Sequence, residues 1–596
     1  MPTEIVNKAK MVAWYDPRQL ARTAFEVFIS SIFGKHADRR LLEAAINPGS
    51  NKFYYDFNKG FESSKEFWID YIADVGDGWN STYTMAYYLT QSRLNFGERF
   101  NFDENGKFET VCGNLLVFGG DEVYPTASYE AYQKRLAGPY KAAFSQTISD
   151  GSPTVFAIPG NHDWYDSLVS FSRLFCEKLP FAGWKTLQDR SYFAIKLVKG
   201  WWLFGTDMQL SSSLDKPQVE YFAEAMKHLE PEDSIILCNA EPHWITSKVY
   251  ENDVGDTARA MGFFEGHILQ ERVAVYLAGD LHHYRRHENK ETGKQKITSG
   301  GGGAFLHPTH GMDVEEIGKR RKYKLEKSFP AESISRNLCR RNLLFPLFNP
   351  WFGTVTGLLY LLTVKAFLSD IGHLGLSEFG QAIYTVVRDA LIQPFALFWV
   401  LLIFLGFVLF TDTHSKLYRF VMSPVHGLFH LAAAFFISWG VSYSVSSGNG
   451  IDSNSIQQLL LAGLLIFIGG WIIGSVIMGV YLFISLNIFG RHSNEAFSSL
   501  AIADYKNFIR LKIDQNGDLT IYPIGVRRVA RKWKEEKGKS GEARIVPDDE
   551  KATLPELIEE PITIKKLKTK AMDIHDNLSA NEESIRTTDT ERVMTL

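Results

Sequence analysis

Five short motifs in the first half of the chain carry side chains that could bind metal ions. In the clearest, Gly160-Asn161-His162-Asp163, Asn161 offers a neutral oxygen ligand and His162 a proton donor. A carboxylate such as Asp121 can bridge two metal ions, and oxygen with imidazole ligands suits Mn, Fe or Zn. The other motifs are Asp74-Val75-Gly76-Asp77-Gly78, Gly119-Gly120-Asp121-Glu122, His243 and Gly279-Asp280-Leu281-His282.

Each motif follows a short apolar run that we predict to be a buried β-strand. Helical stretches separate several of these runs, and this alternation predicts a layered α/β domain. Because ligands gather beyond the carboxyl ends of strands in such domains, we expect the motifs to meet at one edge. The predicted strands lie within residues 67–74, 114–121, 154–161, 201–207, 234–242 and 274–280.

The ordered set of motifs resembles the calcineurin-like metallophosphoesterase family over residues 66–310. The resemblance implies a four-layer α/β/β/α sandwich that binds two divalent metal ions. It implies that Asp121 bridges both metals, that Asp74 and His282 bind the first, and that Asn161 and His243 bind the second. It also implies that His162 is the acid near the leaving group.

Two positions depart from the family pattern. Gly76 stands where the first motif has His, and Asp280 stands where the last motif begins with His. We interpret Asp77 and Asp280 as replacement ligands, and more carboxylate favours harder ions such as Mn, with Fe or Zn as alternatives. The rival interpretation is that one metal site is weakened or empty.

Asp163 is expected to orient its neighbours within the catalytic turn rather than to bind metal. We expect His307 and His310 to lie at the rim or surface.

The apolar residues concentrate between 344 and 490, where four stretches are long enough to cross a bilayer. The flanking basic residues Arg336, Arg340 and Arg341, Lys416 and Arg419, and Arg491 place both termini in the cytoplasm. The N-terminus has no apolar run typical of a signal peptide, which agrees with this orientation. We therefore predict an integral protein of the cell (inner) membrane with an all-α four-helix transmembrane bundle. The spans are 347–368, 391–411, 424–446 and 459–487.

These patterns predict five regions. A helical N-terminal lead (1–65) contains a helix from Pro17 to Ala45, and the metallophosphoesterase domain follows (66–343). After the transmembrane region (344–490), residues 491–533 form a small cytoplasmic β-hairpin segment. The charged tail at 534–596 is expected to be largely disordered.

Three functions fit the sequence. The first is a membrane-anchored, metal-dependent phosphoesterase that acts at the cytoplasmic membrane face through a hydroxide activated by two metals. The second is a catalytically weak membrane sensor or scaffold with a phosphoesterase-like domain, and the third is a transporter with a regulatory head. Basic runs at 319–322 and 527–532 favour membrane lipids as partners. The net charge of -4 argues against nucleic acid. The substrate and the oligomeric state stay open.

Overall fold

The structure is a computed structural model, and most of the first 566 residues can be described. The described residues are 8–33, 53–59, 61–62, 65–97, 108–144, 152–208, 214–250, 256–318, 321–368, 374–411, 415–448, 455–537 and 543–566.

Twenty-one strands are found among the described residues, and six of them coincide with the predicted strands. In chain order they are β1 (Tyr55–Asp56), β2 (Phe67–Ile72), β3 (Arg93–Phe96), β4 (Phe108–Val111), β5 (Leu115–Phe118), β6 (Thr154–Ala157), β7 (Lys185–Thr186), β8 (Phe193–Lys196), β9 (Trp201–Gly205), β10 (Ser234–Asn239), β11 (Val273–Ala278), β12 (Tyr284–Glu288), β13 (Gln295–Ser299), β14 (Glu316–Ile317), β15 (Tyr323–Phe329), β16 (Lys506–Ile513), β17 (Leu519–Val526), β18 (Trp533–Lys537), β19 (Ala543–Pro547), β20 (Glu556–Leu557) and β21 (Ile562–Ile564).

The α-helices of the described residues alternate with strands in the first half and dominate between residues 332 and 498. They are α1 (Pro17–Phe33), α2 (Trp79–Leu89), α3 (Tyr129–Ala131), α4 (Gly138–Ala143), α5 (Val169–Phe175), α6 (Lys216–Met226), α7 (His243–Val249), α8 (Asp256–Phe263), α9 (Glu332–Cys339), α10 (Phe345–Phe348), α11 (Pro350–Thr363), α12 (Phe379–Ile392), α13 (Pro394–Phe410), α14 (Lys416–Gly448), α15 (Ile456–Phe489), α16 (Ser493–Ser498) and α17 (Glu550–Thr553). A π-helical segment, Tyr132–Ala137, joins α3 to α4.

Two mixed sheets carry the first half of the chain. The nine-stranded sheet has the order β1-β8-β9-β10-β11-β13-β12-β15-β14, and the eight-stranded sheet has the path β20-β17-β16-β2-β5-β6-β7 with β21 beside β17. Within them, β2, β5 and β6 are parallel, as are β9, β10 and β11. The carboxyl ends of the strands in each parallel group therefore lie at one edge of their sheet, and the predicted motifs follow those ends.

Side chains of both sheets share one buried apolar cluster. Tyr71 and Val117 of the eight-stranded sheet belong to it, together with Leu203 and Ile236 of the nine-stranded sheet. The opposite faces contact helices: Met85 of α2 and Phe171 of α5 lie in the cluster on the eight-stranded sheet. Phe222 of α6 lies in the cluster on the nine-stranded sheet. The central strands are buried on both faces, which explains why their residues are almost continuously apolar.

The hairpin after the apolar helices belongs to the eight-stranded sheet. We expected residues 491–533 to form a separate small segment, but β16 pairs antiparallel with β2 along the register Ile509↔Tyr71 to Ile513↔Phe67. β16 and β17 form the expected hairpin with each other. Both strands are buried along their length because each is flanked by another strand and covered by side chains on both faces.

The structure tests the predictions for both end regions of the chain. α1 begins at Pro17 as expected and is described to Phe33, and residues 34–45 of the predicted helix lie outside the described residues. In the tail, residues 543–566 contribute β19, α17, β20 and β21, because apolar side chains such as Val546 and Leu557 are buried there. The expectation of a largely disordered tail was therefore wrong for residues 534–537 and 543–566, and residues 538–542 and 567–596 lie outside the described residues.

Two helices in the described part of the chain are long and apolar enough to cross a membrane, Lys416–Val445 and Ile456–Phe489. The other two predicted spans fall in bent helix pairs. Glu332–Phe348 meets Pro350–Ala366 at 64°, and Phe379–Ile392 meets Pro394–Phe410 at 92°. Prolines 350 and 394 stand at the start of the second helix of each pair, where their missing N–H is tolerated.

Candidate functional site

Three carboxylates at the strand ends share an unusual backbone conformation. Asp74 follows β2, Asp121 follows β5 and Asp280 follows β11, with φ angles of 58°, 53° and 64°. The left-handed region is uncommon for residues other than glycine and clusters at functional sites. Asp74 and Asp121 are also fully buried, which further sets them apart from ordinary strand-end residues.

The hydroxyl of Tyr124 is the meeting point of three predicted ligands. It donates to Asp74 Oδ1 at 2.9 Å or to Asp121 Oδ2 at 3.1 Å, and it lies 3.0 Å from His282 Nε2. His282 Nε2 is 3.5 Å from Asp74 Oδ1. The sequence analysis missed Tyr124, which lies three residues after Asp121 in Gly120-Asp121-Glu122-Val123-Tyr124. We name Asp74, Asp121, Tyr124 and His282 the tyrosine cluster.

Glycines allow the carboxylates to lie against neighbouring backbone. A Cβ on Gly160 would overlap Asp121 Oδ1, and one on Gly300 would overlap Asp74 Oδ2. The glycine run at 300–303 therefore packs tightly beneath the tyrosine cluster. All four glycines are buried, so the run forms a packed edge of the site.

The Gly160-Asn161-His162-Asp163 turn is fastened to Asp121. The backbone N–H of His162 donates to Asp121 Oδ1 at 2.9 Å. His162 Nδ1 lies 2.6 Å from the carbonyl of Pro125, which fixes Nδ1 as the protonated nitrogen and leaves Nε2 to take or give a proton. The side-chain amide of Asn161 contacts Tyr165 at 3.3 Å. The turn thus adjoins the tyrosine cluster at Asp121.

Hydrogen bonds to Asp163 fix the conformation of this turn. Its Oδ2 accepts hydrogen bonds from the backbone N–H groups of Gly160 at 2.8 Å and Glu122 at 3.2 Å, and Tyr132 donates to its Oδ1. Burial raises the pKa of the buried Glu122 carboxyl well above its ordinary value, and Asp163 adds to the effect. These contacts match an orienting role for Asp163.

Asp77 and His243 make their described contacts away from the tyrosine cluster. Asp77 Oδ1 accepts from the backbone N–H of Val12 at 2.7 Å, and Arg135 lies 3.8 Å from the same oxygen. His243 Nε2 is 3.0 Å from Glu265 Oε1, and its Nδ1 is 3.5 Å from the amide of Asn239. Burial alone would raise the pKa of Glu265, but its hydrogen bond with His243 and nearby positive charges hold it at about 2.

Asp280 meets the tyrosine cluster through its backbone. Its N–H donates to Asp74 Oδ2 at 2.9 Å. Burial raises the pKa of the Asp280 carboxyl well above its ordinary value, and the charges of Glu241 and Asp121 raise it further. Burial, Asp121 and Asp280 likewise raise the pKa of Asp74. Such a concentration of buried carboxylates requires protons or a nearby cation.

His282 is held on both sides of its ring. Its Nδ1 is 2.7 Å from the carbonyl of Phe305, and His307 stacks on it with ring centroids 3.9 Å apart. His307 is half-buried beside this cluster residue, which agrees with the predicted position at the rim. The same prediction was wrong for His310, which is buried with Nδ1 2.8 Å from Ser335.

Two further residues were not anticipated near the site. Lys506 of β16 is buried, and its amine has no hydrogen-bond partner within the described residues. Burial lowers its pKa to about 8, while Asp504, Asp77 and Asp74 oppose that shift. The ring of Trp14 lies 6.0 Å from that of His162. The first described residues of the chain therefore cover the site from one side, and the last sheet strands approach it from another.

The donor chemistry of the tyrosine cluster suits a hard divalent cation, since it combines carboxylate, phenol and imidazole groups. Within the described residues, however, no three His, Cys, Asp or Glu side chains converge as they would around one metal ion. The structure brings together Asp74, Asp121 and His282 of the predicted ligands. It places Asn161 and Asp280 beside them and gives Asp77 and His243 other partners.

Scans against models of protein families and against curated proteins give no match to this chain. Similar solved structures include GAP50, the anchor in the inner membrane complex of Plasmodium, with 12% identity and a TM-score of 0.30; the match covers 44% of this chain and 78% of that one. Purple acid phosphatase PPD1 from yellow lupin (Lupinus luteus) seeds matches with 12% identity and a TM-score of 0.31, over 45% of this chain and 48% of that one. Neither score supports an argument about function.

Proposed function

We propose that this chain is a membrane-anchored, metal-dependent phosphoesterase that hydrolyses phosphate esters at the cytoplasmic face of the cell membrane. The observation that carries the proposal is the convergence of Asp74, Asp121 and His282 on the hydroxyl of Tyr124, from the ends of three different strands. The proposal includes a calcineurin-like α/β/β/α sandwich and four transmembrane helices. Two long apolar helices and two bent pairs support the membrane part.

Divalent cations would be held by the tyrosine cluster with Asn161 and Asp280, and Mn fits this oxygen-rich set better than Fe or Zn. Bound there, the ions would supply a nucleophilic hydroxide and neutralise charge on the phosphoryl oxygens. The raised pKa of buried Asp74 and Asp280 supports the need for positive charge at this place. His243 would bind the second ion by exchanging its contact with Glu265 for the metal.

The chain's own residues would position the ester and move one proton. Pro125 fixes the tautomer of His162, so that its Nε2 is the atom that gives a proton to the departing oxygen. Asp163 and Glu122 hold the turn that presents His162, and the N–H bond to Asp121 sets its distance from the tyrosine cluster. Trp14 covers the site near His162 and limits the access of water.

A second candidate is a membrane sensor or scaffold with little turnover. Asp77 and His243, two of the predicted ligands, are bonded to Val12 and Glu265 instead, which favours this candidate over an enzyme with two complete metal sites. No observation favours the transporter.

The test is hydrolysis of p-nitrophenyl phosphate and its bis-ester by the full chain in detergent, with Mn, Fe, Zn or Mg. Asp121→Asn removes one charge at the cluster, and Glu220→Gln, at an exposed position of α6, removes one elsewhere. We expect metal-dependent turnover that Asp121→Asn lowers at least about 100-fold and Glu220→Gln leaves unchanged. A folded protein with neither turnover nor bound metal would favour the sensor or scaffold.

A further inference from the structure

Helix α1 turns its apolar face outward. Leu20, Phe25 and Phe28 are exposed by 45%, 66% and 60%. At about 100° per residue, these three side chains fall within an arc of about 140° on one side of the helix. Helices of soluble proteins bury such a face, so this one needs an apolar covering.

The polar face of α1 meets the protein instead. Gln19 and Arg22 line a pocket with residues of the Tyr124–Arg135 region. Glu26 bonds Arg22 at 2.9 Å and accepts a hydrogen bond from Thr126 at 2.5 Å. Gln19 and Glu26 are partly buried against the protein, the side chain of Arg22 is 74% exposed at the mouth of the pocket, and the aromatic groups on the other side of the helix face outward. That arrangement is typical of helices that lie in a membrane surface.

The start of α1 is fixed to the base of the apolar helices. The ring of Tyr15 contacts those of Phe345 and Phe352 at centroid distances of 5.0 and 5.6 Å. The guanidinium of Arg18 lies 5.0 Å from the ring centre of Trp351, the second residue of α11. Tryptophan and arginine at a helix end are typical of the membrane interface. Hence α1 lies at the level where α11 enters the bilayer.

Exposed apolar side chains continue along the neighbouring segment. Leu343 and Leu344 precede α10, and Leu347 and Phe348 lie within it; all four are exposed. Arg336, Arg340 and Arg341 precede them and suit an anionic lipid surface. α1 and this segment therefore present apolar groups beside the same helix, and a lipid bilayer is the covering that fits both.

A basic pocket lies under the polar face of α1. Its volume is about 180 Å³, and its charged lining is Arg22, Lys134, Arg135 and a single acidic residue, Glu130. Tyr124 also lines it, and the Tyr124 hydroxyl belongs to the tyrosine cluster. An anionic group that enters this pocket from the lipid surface meets Lys134 together with Arg22 and Arg135, which are also paired with Glu26 and Asp77.

We propose that α1 lies in the membrane surface with Leu20, Phe25 and Phe28 in lipid, and that the substrate is a phosphate monoester of a membrane lipid whose head group enters this pocket. The substrate part rests on the proposed function. In the reaction, the oxygen of water bonds to phosphorus, the ester P–O bond breaks, and the lipid alcohol leaves with a proton. Phosphatidate, hydrolysed to diacylglycerol and inorganic phosphate, represents the class.

The position of α1 is tested without any activity. A nitroxide at Phe25→Cys, in full chain reconstituted into anionic vesicles with Cys112 and Cys176 changed to serine, reports its surroundings. We expect relaxation by oxygen to exceed relaxation by a water-soluble nickel complex. A nitroxide at Glu220→Cys, an exposed position of α6, is the aqueous control and should show the reverse. Equal preference for nickel at both positions would overturn the placement of α1.

The substrate class is tested with two esters. Full chain in nanodiscs is given phosphatidate in the bilayer or p-nitrophenyl phosphate in solution, and Phe25→Ser/Phe28→Ser is compared with the parent. We expect the double variant to lose at least ten-fold in phosphatidate hydrolysis and to keep hydrolysis of the soluble ester. Equal loss for both esters, or soluble hydrolysis without any phosphatidate hydrolysis, would overturn the lipid substrate. Hydrolysis of neither ester by the parent would instead overturn the proposed function, and the nitroxide result would still decide the position of α1.

Discussion

Arg510 of β16 donates from Nε to Asp70 Oδ1 of β2 over 2.9 Å, although 440 residues separate them in the chain. Both side chains are fully buried. Arg510 also donates to Thr110 at 3.1 Å and to the carbonyl of Leu89 at 2.7 Å, while the other Asp70 oxygen accepts from Gly113 at 2.9 Å. This ion pair joins β2, which precedes the apolar helices in the chain, to β16, which follows them.

Removing Arg510 should destabilise the fold strongly. Arg510→Met leaves Asp70 buried and unpaired, which costs about 3–5 kcal/mol of unfolding free energy, whereas Asp70→Asn/Arg510→Met removes both charges and should cost less. Chemical unfolding of the full chain in detergent, followed by tryptophan fluorescence, gives the comparison as a double-mutant cycle. A loss below about 1 kcal/mol for Arg510→Met would contradict this view of the pair.

The apolar helices should be replaceable by a short linker. Asn342 accepts from Ser499 at 2.9 Å and donates to the carbonyl of Ala496 at 3.0 Å, so the two ends are adjacent in space. We expect residues 8–343 joined to 500–566 through a few glycines and serines to fold as a monomer in mild detergent, which covers the exposed apolar face of α1. Residues 8–343 alone expose the edge of β2 and should aggregate. Size-exclusion chromatography and circular dichroism distinguish the outcomes; a stable, folded 8–343 would refute the prediction.

Tyr124→Phe should impair the site without unfolding the protein. The change removes only the hydroxyl that links Asp74, Asp121 and His282, and loss of such a contact at a metal site lowers affinity or activity by about 10–100-fold. Metal content and hydrolysis of p-nitrophenyl phosphate are the measurements. Tyr140→Phe is the matched control, since the buried Tyr140 hydroxyl has no hydrogen-bond partner in the described part of the chain. Equal effects of the two changes would argue against the tyrosine cluster.

Buried His287 should make the protein less stable in acid. Its Nε2 donates to the carbonyl of Val314 at 2.7 Å, and burial lowers its pKa from 6.5 to about 3. Between those pH values the unfolded chain binds a proton that the folded chain does not. Stability therefore falls as pH drops, by about 1.4 kcal/mol per pH unit for this group. His287→Gln should flatten the stability profile between pH 6 and pH 4 by about one proton, and an unchanged slope would contradict the assignment.

The strands and their polar ends were predictable because each is a short apolar run followed by a carboxylate, amide or imidazole. Tyr124 was not, since an aromatic residue after Val123 looks like ordinary core, and only the structure shows its hydroxyl between two carboxylates. Asp77 was assigned to a metal from its place in the motif, but the backbone of Val12 occupies its Oδ1. That contact comes from a distant segment that no local pattern identifies.

The pairing of β2 with β16 could not be predicted from the sequence either. The hairpin β16–β17 was predicted from its own turn, yet strand pairing over 440 residues leaves no mark in a local window. Arg510 is buried because Asp70 lies opposite it in the register.

The pairing of β16 with β2 also imposes an order of events during synthesis. The strands of the first half leave the ribosome early, but β16 and β17 follow only after every apolar helix has been translated. At 5–20 residues per second, the unfinished sheet waits for roughly 10–30 s. During that interval the unpaired edge of β2 can bind a chaperone or pair with another strand. The sheet is completed only after the apolar helices have had time to insert into the membrane.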